Sequence, residues 1–273
     1  MTSSFSDHFA LEGWVRIRNL ISTEEVSALC SETEALIKRG HPDRSGDSTF
    51  QYGPHPGNPG RYSLFRINDL LVIHNLERVR LLLGNPKLLG AVSQLVGDSP
   101  FVSSTETLLF KLPNNGFGVR WHQDEPPIRF FPSIMAAVYL DRSIRENGAL
   151  QVLPRSHLAG YIGAEEWIYS QTAGPFGLPS GTVVVEAEPG DVVFHATTLL
   201  HCSPWSEHES IRRTIYFHFN SFNDVRLQPS NGWTRVGYLS AQQRLVTAIT
   251  ARRVSYPYET PFIPLTVEAE ALR

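Results

Sequence analysis

The hydrophobic period of the chain changes near Gly97. Before it, apolar positions recur at helical spacing; after it, they come in short runs broken by turn residues. Ser22-Thr23-Glu24-Glu25 is a capping box, with Ser22 as N-cap and Glu25 reaching back. It predicts a helix to about Lys38 that turns Val26, Leu29, Cys30, Leu36 and Ile37 inward. A second helix is expected over residues 77–83. A third opens at Asn85-Pro86, buries Leu88, Leu89, Val92 and Leu95, and ends at Gly97. Residues 9–20 alternate like a strand, with Trp14, Val15, Ile17 and Leu20 in it. Residues 40–60 are rich in Gly, Pro, Asp and Ser and read as a surface loop or lid. Residues 240–253 predict a C-terminal helix with Leu245, Val246 and Ile249 on one face.

Beyond Gly97, strands are expected at residues 101–112, 118–123, 134–141, 150–153, 181–186, 191–196 and 212–219. Strands this short, with no helices between them, build a barrel or sandwich rather than a parallel sheet. Residues 158–180 form a longer excursion, with a short helix at 164–171. The expected organisation is one domain over 1–273: a largely helical part (1–97), a β core (98–222) and a C-terminal extension (223–273).

Composition narrows the function. At 41% hydrophobic and 19% charged residues the chain can bury a sizeable core. A net charge of −3 with no basic stripe argues against nucleic acid. No segment is long and apolar enough to suggest a membrane span, and residues 1–10 lack a signal pattern, so a cytoplasmic protein is expected. Two distant cysteines, Cys30 and Cys202, make no disulfide framework. Cys202 reads as a small buried strand residue.

The sharpest chemical signal is Trp121-His122-Gln123-Asp124. On a strand His122 and Asp124 point the same way, with Gln123 opposite or at the edge. They supply two of the three ligands of a 2-His-1-carboxylate triad, whose open metal positions could take a bidentate 2-oxo acid and O2. For the third ligand His201 is preferred, because a charged anchor follows it on the next strand; His195 and His157 are the fallback candidates. A dicarboxylate co-substrate needs a fixed cation, and arginine's planar fork suits a carboxylate. One parity of residues 212–219 carries Arg212, Thr214, Tyr216 and His218; the other carries Arg213, Ile215, Phe217 and Phe219. The second face is apolar and belongs against core, so periodicity selects Arg212 as the anchor and leaves Arg213 a structural partner.

These residues resemble the phytanoyl-CoA dioxygenase family of iron(II)/2-oxoglutarate oxygenases. The likeness begins at Phe9-Ala10-Leu11-Glu12-Gly13-Trp14-Val15. It continues through Leu109-Phe110-Lys111-Leu112-Pro113, the His122–Asp124 pair and Glu146-Asn147-Gly148-Ala149-Leu150-Gln151-Val152-Leu153-Pro154-Arg155-Ser156-His157. It ends with Pro189-Gly190-Asp191-Val192-Val193-Phe194-His195 and His201-Cys202-Ser203, with Arg212 following. The resemblance implies a mainly β, double-stranded β-helix (jelly-roll) core with flanking α-helices. It implies iron(II) on His122, Asp124 and His201, and the distal carboxylate of 2-oxoglutarate on Arg212, with Ser203 nearby. Thr107, Gln123 and Arg66 are further co-substrate positions on the same basis. O2 completes the reaction, which most often hydroxylates a C–H bond, here in specialised metabolism. Asp124 argues against the halogenase branch, which has a small residue there. Ala137 stands where many members carry tryptophan, and Pro126-Pro127 where aromatics are common. Substrate choice is expected from residues 40–60, 126–133, 158–180 and the tail after Ser221, with Tyr52, Phe130, Phe131, Trp167 and Trp233 as candidate contacts. The competing readings are a cupin-type lyase or isomerase that does not use 2-oxoglutarate, and a non-catalytic binding jelly roll.

Overall fold

A computed structural model describes residues 4–40, 47–55, 58–97, 99–124, 133–162, 177–222 and 234–268. The strands are β1 (Trp14–Ile17), β2 (Phe50–His55), β3 (Asn58–Asn68), β4 (Phe101–Lys111), β5 (Val119–His122), β6 (Ser133–Tyr139), β7 (Leu150–Val152), β8 (Val183–Val185), β9 (Val192–Ala196), β10 (His201–Ser203) and β11 (Arg212–Ser221). They form a seven-stranded sheet, ordered β1-β9-β6-β11-β4-β3-β2, and a four-stranded sheet, ordered β5-β10-β7-β8. The strand pairs are antiparallel throughout. This is the two-sheet jelly roll expected from the sequence.

The helices are α1 (Phe5–Glu12), α2 (Thr23–Ile37), α3 (Glu77–Leu83), α4 (Pro86–Val96) and α5 (Arg235–Ser255). Ser22 caps α2 by accepting from the Glu25 amide. Asn85 caps α4 through the amides of Lys87 and Leu88, with Pro86 at the first helical position. The outer face of the large sheet carries Ile215, Phe217 and Phe219, all fully buried in a core shared with Leu29, Leu82, Leu88 and Leu245.

Three expectations change. Residues 9–20 are not one strand. Ser4 and Asp7 close a capping box that nucleates α1, and Gly13, at φ +80°, ends it before β1 begins. Residues 40–60 are not wholly loop: β2 and β3 pair as a hairpin at the sheet edge, where Pro54 is tolerated because an edge strand has a free side. Thus β1, β2 and β3, all from the part expected to be chiefly helical, extend the large sheet. The C-terminal helix starts earlier than expected, at Arg235, because Thr234 accepts from the Gly237 amide. The expected helix at 164–171, and Phe130, Phe131, Trp167 and Trp233, lie outside the described residues. Tyr52 packs against the main core.

Parity separates the two adjacent arginines of β11. Arg213 turns outward and holds Asp141 through its Nε and Nη2, both at 2.8 Å, and the Cys30 carbonyl of α2 at 3.0 Å. It therefore ties β11 to the end of β6 and to α2. Removing one partner of a largely buried ion pair leaves the other uncompensated. Arg213→Leu is expected to cost about 2–4 kcal/mol of unfolding free energy in urea titration. Arg213→Leu combined with Asp141→Leu should recover part of that loss.

Candidate metal centre and co-substrate cavity

His122 and His201 are direct partners across the β5–β10 ladder. Residues opposed on antiparallel strands project to the same side with Cβ atoms about 5 Å apart. Their rings accordingly lie 4.1 Å apart, centre to centre. Asp124 follows β5, and its backbone amide donates to the Thr197 carbonyl at 2.8 Å. That contact turns the carboxylate between the imidazoles: Asp124 Oδ1 is 3.4 Å from His122 Nε2, and Oδ2 is 3.7 Å from His201 Nε2. The donor atoms of the three side chains lie within 4.8 Å of one another. They form the one such cluster among the described residues.

Each imidazole is oriented by its own backbone. His122 Nδ1 lies 2.8 Å from the Arg120 carbonyl, and His201 Nδ1 lies 2.8 Å from the Leu199 carbonyl. A ring whose Nδ1 proton is held by a carbonyl presents the Nε2 lone pair to a metal. Burial, and the charge of His122 beside it, push His201 down to about 3, so it is neutral. Burial disfavours the Asp124 carboxylate, but the surrounding histidines outweigh it and hold the carboxyl well below its ordinary value. His122 is raised: burial alone would lower it, and the hydrogen bond and charge of Asp124 overcome that. One neutral imidazole, one carboxylate and one imidazole that releases a proton when it ligates fit a divalent cation.

His195, a fallback ligand in the sequence reading, lies against this cluster. Its Nδ1 is 4.0 Å from Asp124 Oδ2, its ring is 4.5 Å from that of His201, and its buried Nε2 has no partner. His157 is elsewhere, with Nε2 near the Ala10 carbonyl at 3.2 Å.

A cavity of about 140 Å³ opens beside the cluster. Phe65, Leu109, Val119, Met135 and Leu150 give it apolar walls, while Arg66, Thr105, Thr107, Ser203 and Tyr216 add polar groups. Thr107 donates to Asn68 at 3.2 Å, and the same Asn68 oxygen accepts from Arg66 Nε at 2.7 Å. Burial lowers the Arg66 guanidinium, and the facing Asp124 counters it. Gln123 does not share the cavity. Its amide nitrogen donates to the carbonyls of Gly160 and Thr198, and its oxygen accepts from the Ile162 amide. It joins the loop after β7 to the segment leading into β10.

Arg212 is on the same face of β11 as the cavity-lining Tyr216 and is 2% exposed. It donates to the Gly148 carbonyl at 2.8 Å and to the Ser203 and Ser143 hydroxyls at 3.3 and 3.5 Å. Its register partner on β4 is Lys111, whose Nζ donates to the carbonyls of Phe117 at 2.6 Å and Pro204 at 2.7 Å. Burial and the neighbouring Arg212 push the Lys111 ammonium well below its ordinary value. Neither cation has a carboxylate partner among the described residues. A guanidinium buried without an anion fits a ligand carboxylate.

The motifs outside the ligand set are the supports of this site. Asn147 accepts from the Ile144 amide and donates to the Arg142 carbonyl, which shapes the turn that aims the Gly148 carbonyl at Arg212. Gly148 has φ +76°, and a Cβ there would stand 2.5 Å from the Pro204 oxygen, so a side chain is excluded. Ser156 accepts from the Leu200 amide, next to His201. Asp191 accepts from the amides of Asn19 and Glu188 and fixes the turn into β9.

A family model described as "Phytanoyl-CoA dioxygenase (PhyH)" matches residues 9–214. The chain belongs to the phytanoyl-CoA dioxygenase family. It is 26% identical over 234 residues to the methylphosphonate hydroxylase of Gimesia maris, covering 84% of each chain. Among solved structures it is similar to AviO1 from Streptomyces viridochromogenes Tue57, with a TM-score of 0.69 and 24% identity over 82% of this chain and 98% of that one. It is also similar to EctD from S. alaskensis, solved with 2-oxoglutarate and 5-hydroxyectoine, with a TM-score of 0.65 and 19% identity over 82% and 77% of the two chains. The protein is an iron(II)- and 2-oxoglutarate-dependent dioxygenase, with O2 as the second oxidising substrate.

Protons and metal compete at the dioxygenase's His122. Its value is raised above the ordinary 6.5, so acidification protonates it and opposes metal. Apparent Co(II) affinity, read from the visible spectrum, should fall roughly tenfold per pH unit below that raised value and level off above it. His201→Ala should abolish the spectrum at every pH.

Proposed function

We propose that this dioxygenase holds iron(II) on His122, Asp124 and His201, anchors the distal carboxylate of 2-oxoglutarate on Arg212, and oxidises a C–H bond of a small organic substrate in the cavity between them. The observation that carries this reading is the pairing of two features: a His-Asp-His donor set lining the cavity, and, behind the cavity residue Ser203, a buried guanidinium with no carboxylate partner among the described residues. Bound iron(II) with 2-oxoglutarate and O2 supplies the oxidising power for an unactivated C–H bond, with succinate and CO2 as by-products.

The chain's own residues do the positioning. The Arg120 and Leu199 carbonyls fix both imidazoles, so that with Asp124 they would hold a metal ion through Nε2 and the carboxylate. Arg212 is held by Gly148 and Ser203, which sets the depth at which a dicarboxylate seats. Arg66, joined to Thr107 through Asn68, is the cation facing the metal end and would take the carboxylate next to the 2-oxo group. Phe65, Val119, Leu109, Met135 and Leu150 form an apolar surround that excludes water from the reacting C–H bond and suits a compact substrate with an aliphatic portion.

The test is an anaerobic titration with iron(II) and 2-oxoglutarate, following the weak visible charge-transfer band, then exposure to O2 with succinate assayed. Wild type should show the band and release succinate. His201→Ala should show neither. Arg212→Ala should need at least a hundredfold more 2-oxoglutarate, since a buried charge-assisted pair is lost. Bound iron with no band and no succinate would sink the reading in favour of a jelly-roll enzyme that does not use 2-oxoglutarate.

A further inference from the structure

The two sheets meet at the donor cluster. His122 and His201 come from the small sheet, while His195 comes from β9 of the large one. Across the large sheet His195 pairs with Met135, Met135 with His218, and His218 with Thr105. Directly opposed residues share a face, so these four form one row. His195, Met135 and Thr105 line the cavity. The His195 ring is 4.5 Å from that of His201, and Thr105, at the other end of the row, is exposed. The row thus runs from the metal ligands to the cavity mouth.

The two histidines of this row differ. His218 Nε2 is 2.7 Å from the Ser133 hydroxyl, to which the Asn220 side-chain amide also donates at 2.8 Å. His195 is fully buried, and its Nε2 has no partner among the described residues. Its other nitrogen meets acceptors: Nδ1 is 3.2 Å from the Ala196 carbonyl and 4.0 Å from Asp124 Oδ2. A neutral imidazole carries one N–H. With acceptors on the Nδ1 side the hydrogen belongs there, which leaves Nε2 as a bare lone pair. Burial disfavours the charged ring.

His195 also stands outside the metal-binding set. His122, Asp124 and His201 bring their ligand atoms within 4.8 Å of one another, and His195 is not part of that group. A buried acceptor without a donor is rare and costly. Here it belongs to a ring that lines a ligand cavity, so the donor arrives with the ligand. A cationic donor would be repelled by a divalent ion on the neighbouring ligands, which favours a neutral hydroxyl.

We infer that His195 recognises the primary substrate, its Nε2 accepting a hydrogen bond from a substrate hydroxyl. That bond selects which neighbouring C–H bond lies beside the metal ligands. The inference rests on the reading of this cavity as a dioxygenase site and adds the class of molecule that enters it: a compact aliphatic alcohol, its hydrocarbon part against Met135 and Val119.

Two measurements test it. Proton–nitrogen correlation NMR of the histidine-labelled, Zn(II)-loaded protein should show the His195 hydrogen on Nδ1 and Nε2 free of metal. A hydrogen on Nε2, or Zn(II) bound there, overturns the inference. The iron(II)–2-oxoglutarate protein is then titrated anaerobically with cyclohexanol and with its methyl ether, methoxycyclohexane, following the change in the charge-transfer band. The alcohol should bind roughly tenfold more tightly, the worth of one hydrogen bond to a buried acceptor. His195→Leu should remove that preference, and His195→Gln, whose amide oxygen can accept, should restore it. Should His195→Leu fail to fold, His195→Asn takes its place, since it keeps an amide near the Nδ1 position and loses the Nε2 acceptor. Equal affinity for alcohol and ether, no binding of the alcohol, or a preference that survives loss of the acceptor overturns the inference and leaves the dioxygenase reading intact. Bound iron without a band on adding 2-oxoglutarate removes that reading, and the inference with it.

Discussion

A guanidinium buried without a carboxylate is the constraint around which this dioxygenase is built. Moving an ion out of water costs several kcal/mol even after relaxation. The protein offsets that for Arg212 with neutral acceptors: one carbonyl from the Gly148 turn and the hydroxyls of Ser203 and Ser143. Each is worth less than a carboxylate would be. The charge is thus tolerated rather than neutralised, and an anion of the right length gains what the fold leaves unmade. Lys111 sharpens this. It is buried in register with Arg212, tied to two carbonyls and out of contact with any described acid, and burial and the nearby guanidinium disfavour its charged form.

The neighbouring arginine shows the alternative. Arg213 has the same side chain, one residue later, yet meets Asp141 in a two-pronged ion pair and closes against α2. The pleat alone decides which arginine is a strut and which faces the interior. A one-residue slip of β11 would exchange them, and would carry Ile215, Phe217 and Phe219 from the core into the cavity. Register along β11 is therefore fixed by its apolar face, and the polar face follows from it.

At the metal end the strands are short. β5 has four residues and β10 has three. Such pieces hold little ladder of their own, and the residues around them fix their place. Ser156 receives the Leu200 amide, Leu153 pairs with the Leu200 carbonyl, and Gln123 spans Gly160, Ile162 and Thr198. Gln123 lies between two ligand residues in sequence but points the other way, so proximity in sequence gave it the wrong neighbourhood. The residues that make the donor cluster rigid are on the reverse side of the strand from it.

The alternation of β11 and the spacing of His122 and Asp124 were legible from residues alone, because period 2 is local. The choice of His201 over His195 needed more, since both lie near Asp124 and only cross-strand pairing with His122 separates them. Lys111 was not legible as the neighbour of Arg212. Its place depends on which residue of a distant strand stands opposite, and register between β11 and β4 is a non-local fact. Sequence did register the missing tryptophan at Ala137, but a departure names only what is lost. Tyr139 lies two residues from Ala137 on the same face of β6, because a β strand returns to one face at that interval. In a jelly roll whose co-substrate lies across several strands, the face and row of a donor constrain the chemistry more tightly than its column in an aligned sequence.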